Sequence, residues 1–106
     1  MIRVIIARSD DQQITGFTMS GHADFDVHGK DLVCAGASAV VFGSVNAIYA
    51  LTEYEPAVDM AEEGGYLSVK LEDPPDDRVQ TILETMIVSL KTIESEYNEF
   101  IKLEYE

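Results

Sequence analysis

The feature that most constrains the fold is an uncharged run of apolar and small residues from about Val33 to Thr52. Pro56 follows shortly after, and a proline cannot continue a helix. A helix that is apolar nearly all round must be covered on most of its sides. Its small residues let other backbone segments approach closely, and they are Ala35, Gly36, Ala37, Ala39, Gly43, Ala47 and Ala50. We therefore expect a sheet on one side of this helix and a second helix or a partner subunit on the other.

The same run is about as long as the roughly 20 residues that cross a bilayer. Ser38, Ser44 and Asn46 interrupt its apolar character, and Asp31 and Glu53 flank it. A membrane span is expected to have an asymmetry of basic residues and a belt of aromatic residues at its ends, and neither is present here. We interpret the run as the central helix of a soluble domain and expect no membrane partner.

Short strand-like segments lie on both sides of this helix. Ile2–Ala7 and Ile14–Ser20 flank a polar turn and predict an antiparallel hairpin, in which Gly16 permits a bulge or close packing. Ala57–Met60 and the alternating segment Tyr66–Leu71 flank a turn with two glycines. These two segments predict a second hairpin.

A second helix is predicted near the end of the sequence. Apolar residues recur at helical spacing from Val79 to Ile101, after acidic residues at 73–77 that can cap a helix. The order is therefore strand, strand, helix, strand, strand, helix. We expect an α+β fold with a mainly antiparallel sheet from two hairpins and two helices. At 106 residues, positions 1–106 are expected to form one domain.

The charge balance excludes one class of partner. The chain carries 20 acidic and 7 basic residues, a net charge of −13, and its basic residues are scattered. Direct binding of nucleic acid needs clustered Lys and Arg, so we expect no nucleic-acid partner. An acidic surface instead favours encounter with basic proteins. One cysteine cannot form an internal disulfide and no signal-peptide pattern is present, which favours the cytoplasm.

Candidate chemistry is concentrated where the long helix begins. Cys34 opens the helix after a loop from Gly21 to Lys30, and His22 stands at the end of the second strand. The helix dipole and the free N–H groups at a helix start favour a thiolate over a thiol. Asp31 is in position to cap this helix. The stretch predicts a thiol–imidazole site.

Each of these residues also has a structural interpretation. A free cysteine such as Cys34 often packs as a small hydrophobic residue, and His22 can simply satisfy a backbone group. Asp31 can be a plain cap, and His28 is expected to be solvated. One cysteine and two histidines without a closely spaced pair are a weak zinc signature. No metal and no cofactor are therefore expected.

The motif resembles a known family. Its sequence is Gly21-His22-Ala23, a short acidic loop, and then Asp31-x-Val33-Cys34-Ala35-Gly36-Ala37-Ser38. This spacing resembles the signature of the Prp family, the bacterial ribosomal-processing cysteine proteases, and the resemblance extends over the whole chain. It implies a cysteine endopeptidase, a hydrolase, that removes an N-terminal extension from one large-subunit ribosomal protein, the twenty-seventh in the standard naming. It also implies a substrate with an apolar segment ending in two aromatic residues, and a homodimer.

The resemblance also implies roles for individual residues. By it, Cys34 is the nucleophile and His22 the base, whereas Gly21, Asp31 and Ser38 match positions with supporting roles. We then expect acyl transfer through a thiol ester, carried out by a Cys-His dyad. No third residue that orients His22 is evident.

Two further parts of such a site are expected beside the dyad. The backbone N–H groups of Cys34 and Ala35, free at a helix start, are candidates for an oxyanion hole. The loop before the helix is expected to be a lid that orders on substrate binding. Its candidate residues are Asp24, Phe25, Val27 and Gly29, of which the two apolar ones can cover an apolar substrate.

An alternative function remains open at this point. The chain can be a non-enzymatic ribosome-assembly or peptide-binding factor that holds a peptide strand against its sheet. The reactivity of the Cys34 thiol discriminates between the two. A thiol that behaves as a free thiol and forms no thiol ester with substrate would favour the binding factor.

Overall fold

The protein is described by a computed structural model that covers residues 1–27, 30–73 and 76–106. Its elements follow in the order β1, β2, α1, β3, β4, α2 and β5. They span Ile2–Arg8 (β1), Ile14–Ser20 (β2), Leu32–Leu51 (α1), Ala57–Met60 (β3), Tyr66–Lys70 (β4), Asp77–Glu96 (α2) and Ile101–Tyr105 (β5). The predicted α+β class and both predicted hairpins are confirmed.

One five-stranded sheet joins the strands in the order β3-β4-β2-β1-β5. The pairs β1–β2, β2–β4 and β3–β4 are antiparallel, and β1–β5 is parallel. The sheet is therefore mixed rather than purely antiparallel. Because β2 pairs with both β1 and β4, it fastens the two hairpins together, and its C-terminal end leads directly into the loop before α1.

The prediction of a final helix as far as Ile101 was wrong. α2 ends at Glu96, and Ile101–Tyr105 forms an additional strand, β5. Tyr97, Phe100 and Ile101 continue the helical spacing of α2, which is why the sequence pattern favoured a longer helix. Pairing with β1 decides the conformation, since Ile2 lies opposite Ile101 in the parallel ladder and both are fully buried.

The core lies between one face of the sheet and the two helices. In β1 the residues Ile2, Val4 and Ile6 are buried, and across the ladder Ile6 lies opposite Phe17 of β2. The expectation for Gly16 is met by close packing, because a Cβ there would lie 2.7 Å from the carbonyl oxygen of Val69. The register between β1 and β2 also shifts nearby.

A buried glutamine fixes α2 to the sheet. The side-chain oxygen of Gln80 accepts a hydrogen bond of 2.8 Å from the N–H of Ile14, and its side-chain nitrogen donates one of 2.9 Å to the carbonyl of Ile14. Ile14 begins β2, so this pair of bonds ties α2 to the start of the strand whose other end leads to the site. On the surface, Arg8 of β1 pairs with Glu84 of α2 at 2.7 Å.

Only one face of α1 lies in the core. Its buried residues are Val33, Ala37, Val41, Val45 and Ile48. By length and composition alone the helix is apolar enough to cross a membrane, yet only 28% of its most apolar stretch is buried within the chain. Leu32, Phe42, Tyr49 and Leu51 remain exposed. The sheet and α2 thus both cover α1, as expected, and these exposed residues lie on the part of the helix that neither of them covers.

Candidate active site

His22 follows the end of β2 after one residue, Gly21, whose backbone conformation places it there. Gly21 has a φ of +85°, and a Cβ at this position would lie 2.3 Å from the carbonyl oxygen of Met1. Both observations require glycine, because other residues rarely adopt this conformation and none fits the space. The N–H of Gly21 donates a hydrogen bond of 2.9 Å to the carbonyl of Gly65, in the turn between β3 and β4.

Cys34 is the third residue of α1 and carries a free, half-buried thiol. Asp31 is the N-cap of the helix, and its Oδ1 accepts a hydrogen bond of 2.9 Å from the N–H of Cys34. The cap thereby fixes the backbone of the residue that carries the sulfur. A thiol placed in the first turn feels the positive end of the helix dipole.

The carboxylate of Asp31 joins the helix to the loop. Its Oδ2 accepts a hydrogen bond of 3.0 Å from the N–H of Phe25. Desolvation disfavours the charged form, but the backbone N–H groups of Cys34, Phe25, Asp26 and Val33 outweigh it together and lower the pKa of Asp31 below its ordinary value. Asp31 is therefore an ionised clasp between α1 and the loop as well as a cap.

These residues line one cavity of about 490 Å³. Its lining consists of His22, Asp24, Asp26, Asp31, Cys34, Ala35 and Ser38. The structure thus brings the predicted nucleophile, the predicted base and two of the predicted supporting residues to a single space. Ser38 lies one helical turn after Cys34 and is half-buried.

The predicted lid lines the cavity with Asp24 and is held to the far end of the chain by Phe25. The ring of Phe25 packs edge-to-face against Tyr97, with centroids 5.5 Å apart, and against Phe100 at 5.1 Å. Val27 is 64% exposed, and Asp24 has a φ of +58°. Gly29 and the second histidine, His28, lie outside the described residues.

The backbone donors expected for the oxyanion hole are not free in this conformation. The N–H of Cys34 donates to the Asp31 side chain, and the N–H of Ala35 donates to the Asp31 carbonyl at 3.0 Å. The premise that a helix start leaves these groups unpaired fails here because the cap occupies one and the first helical bond occupies the other. Their role in stabilising an oxyanion stays a prediction.

Sequence reasoning missed two contributions to this site. Tyr97 and Phe100 hold the loop from the far end of the chain, and nothing in their local pattern pointed to it. Gly65 abuts the His22 ring, since a Cβ on it would lie 3.0 Å from Nε2. The pair Gly64-Gly65 was visible in the sequence, but only as a turn. Within residues 1–27, 30–73 and 76–106, no three His, Cys, Asp or Glu side chains are grouped to hold a metal ion.

A half-buried thiol at a helix start, with an imidazole lining the same cavity, is the arrangement of a thiol-dependent hydrolase. The family model of the cysteine protease Prp matches residues 1–102. The chain therefore belongs to the Prp family and is a cysteine protease.

Individual relatives agree over the full length. The chain is 50% identical over 105 residues to the ribosomal processing cysteine protease Prp of Staphylococcus aureus, covering 99% of both chains. It is 46% identical to the protein of that name from Bacillus subtilis, covering 97% of this chain and 96% of the other. A crystal structure of the Staphylococcus aureus protease Prp with a covalently linked product peptide is similar, with a TM-score of 0.98, 50% identity and full coverage of both chains.

Proposed function

We propose that this protein is a cytoplasmic endopeptidase that removes the N-terminal extension of a large-subunit ribosomal protein, with Cys34 and His22 as a catalytic dyad. The observation that carries the proposal is that both residues line the same cavity at the start of α1. Support for the ribosomal substrate comes from the relatives, two of which are named ribosomal processing proteases and are 50% and 46% identical to this chain.

The dyad performs acyl transfer in two stages. His22 accepts the proton of the Cys34 thiol, and the sulfur attacks the carbonyl carbon of the scissile peptide bond. The protonated imidazole then gives its proton to the leaving amine, which departs and leaves a thiol ester. Water, deprotonated by His22, attacks the thiol ester and releases the acid product with the free thiol. A relative that carries a covalently linked product peptide fits this covalent route.

Electrostatics favour a basic protein as substrate. The chain has a net charge of −13, and three carboxylate residues, Asp24, Asp26 and Asp31, line the cavity itself. Such a field accelerates the encounter with a positively charged partner, as ribosomal proteins commonly are, and the effect weakens as salt screens it. The rate of cleavage at low substrate concentration is therefore expected to fall as ionic strength rises.

The direct test is incubation with the extended ribosomal protein of the same organism, followed by mass measurement of the products. We expect one cut that releases the extension. Cys34→Ala and His22→Ala should each abolish or greatly slow this cut, whereas Thr92→Ala, a polar position on α2 outside the cavity, should not. Undiminished cleavage by Cys34→Ala would refute the nucleophile. Undiminished cleavage by His22→Ala would place the base elsewhere, with His28 next to be tested.

Controls separate loss of chemistry from loss of structure. Circular dichroism and thermal unfolding of Cys34→Ala should match the wild type, because the substitution removes one half-buried sulfur atom. Iodoacetamide should inactivate the wild-type enzyme at Cys34. A binding factor without enzymatic activity would hold the ribosomal protein without cutting it and form no thiol ester.

We further propose that two copies of the chain form a homodimer through the exposed face of α1. This face carries Ala39, Phe42, Asn46 and Tyr49, all exposed and opposite the buried residues of the helix. An apolar surface of this length on a single chain is typical of a protein–protein interface. Sedimentation should give a dimer for the wild type and a monomer for Phe42→Glu. A wild-type monomer at all concentrations would refute this interface.

A further inference from the structure

We propose that Gly65 is a positioning residue for His22, an inference that rests on the proposed role of His22 as base. Gly65 lies in the turn between β3 and β4, far from the motif at Gly21–Ser38 in sequence. Two separate contacts connect Gly65 to this part of the chain. Its backbone carbonyl bonds to Gly21, the residue before the histidine, and its Cα, which carries no side chain, lies against the imidazole ring.

The first contact fixes the backbone before the histidine. The carbonyl of Gly65 accepts the N–H of Gly21 at 2.9 Å, immediately beyond the last ladder pair of β2 and β4, Ser20 with Tyr66. This bond extends the ladder by one step. The hydrogen bond to Gly65 therefore fixes where the chain departs from the sheet, one residue before His22.

The second contact fixes the imidazole. A Cβ on Gly65 would lie 3.0 Å from Nε2 of His22, 3.5 Å from Cε1 and 3.8 Å from Cδ2. The ring thus rests against the bare Cα of residue 65, with its Nε2 edge nearest. Any side chain at this position would push the ring by a few tenths of an ångström, and proton transfer depends on alignment at that scale.

The turn itself is braced, so Gly65 is a firm support. The N–H of Ala61 donates to the carbonyl of Tyr66 at 3.2 Å, and the N–H of Gly64 donates to the carbonyl of Ala61 at 3.1 Å. Gly65 is half-buried and has a φ of +80°. A side chain at position 65 would therefore displace the ring of His22 rather than the turn, because these hydrogen bonds hold the turn in place.

The adjacent residue provides a matched control. Gly64 has nearly the same φ of +83°, but a Cβ there would meet no atom within 4 Å. Gly64→Ala and Gly65→Ala therefore carry the same left-handed backbone strain, and only the second touches His22. Any difference between the two variants reports on the contact with the ring.

The test compares both variants with the wild type in cleavage and in the NMR signals of the His22 ring. For Gly65→Ala we expect kcat to fall by about tenfold or more with little change in KM, as misalignment of a catalytic group gives. The pH profile of kcat/KM should shift, and the ring signals of His22 should move. Gly64→Ala should leave the pH profile and the ring signals as in the wild type.

The outcomes separate this inference from the proposed function. If the ring signals of Gly65→Ala coincide with those of Gly64→Ala, the positioning role is refuted, whatever the activity. If the ring moves and cleavage is unaffected, Gly65 positions the ring but His22 is not the base. Should Gly65→Ala fail to fold, a nuclear Overhauser effect between the Gly65 Hα protons and the His22 ring in the wild-type protein decides, and its absence refutes the contact.

Discussion

Replacing Gln80 by leucine should destabilise the protein strongly without changing the chemistry of its site. The amide of Gln80, 8% exposed, makes two hydrogen bonds to the backbone of Ile14, which is 1% exposed. Leucine has nearly the same size but neither donates nor accepts. Gln80→Leu therefore leaves the N–H and the carbonyl of Ile14 without these partners in a place where water does not readily reach them.

The magnitude follows from two groups left unpaired. Each buried backbone group that loses its partner costs about 1–3 kcal/mol. The additional apolar surface of leucine at this position returns roughly 1 kcal/mol. The two groups together cost about 2–6 kcal/mol, so the net loss is about 1–5 kcal/mol, a large part of the stability of a small domain. At about 4–8 °C per kcal/mol, a loss of about 3 kcal/mol lowers Tm by roughly 12–24 °C.

Urea unfolding measured by circular dichroism, at one fixed protein concentration, is the assay. The midpoint should fall with little change in slope, because the surface exposed on unfolding is nearly unchanged. Thr81→Leu is the control, since this neighbouring position on α2 is exposed and, within the described part of the chain, its side chain makes no hydrogen bond to Ile14. Well below its Tm, Gln80→Leu should cleave substrate at nearly the wild-type rate. A free energy of unfolding within about 0.5 kcal/mol of the wild type would refute the reasoning.

Three further predictions concern the loop and its clasp. Asp31→Ala should reduce cleavage and slow alkylation of Cys34, because it removes the acceptor for two N–H groups. Asp76→Ala is the control, since it removes the equivalent cap of α2; it should lower Tm without affecting the rate of cleavage or of alkylation. The clasp of Asp31 is fully present above the ordinary pKa of 3.8 and is lost as the pH falls through the lowered pKa of this carboxyl in the folded protein. The amide NMR signal of Phe25 should therefore titrate in that acid range, and it should no longer do so in Asp31→Asn. Phe25→Ala should accelerate hydrogen exchange in residues 24–27, as should Tyr97→Ala, and unchanged exchange in both would contradict the aromatic anchor.

The parts of the fold that local pattern determines were predictable from the sequence. The strands of the two hairpins have alternating or β-branched segments bounded by turns, and α1 has a capping aspartate and a following proline. The site motif was recognisable because Gly21, His22, Asp31 and Cys34 lie close together in the chain.

The parts that depend on contacts between distant segments were not predictable. β5 has a pattern compatible with either helix or strand, and only its partner β1 selects the strand. The anchors Tyr97 and Phe100 and the support Gly65 act on the site from positions remote in sequence. The sequence also did not predict that the N–H groups of Cys34 and Ala35 are hydrogen-bonded. Asp31 accepts both bonds, one with its side chain and one with its backbone carbonyl.

The pairing of β1 with β5 has a consequence for synthesis of the protein. Ile2 lies opposite Ile101 in the ladder between β1 and β5, and the aromatic anchors of Phe25 come just before β5. A nascent chain can form the β1–β2 hairpin early, since its contacts are local, but pairings between distant segments form later. While residues 97–105 are still inside the ribosome, Phe25 lacks its two aromatic contacts, and Asp31 alone connects its backbone to α1. The completed arrangement around the thiol therefore arises only once this final segment has emerged.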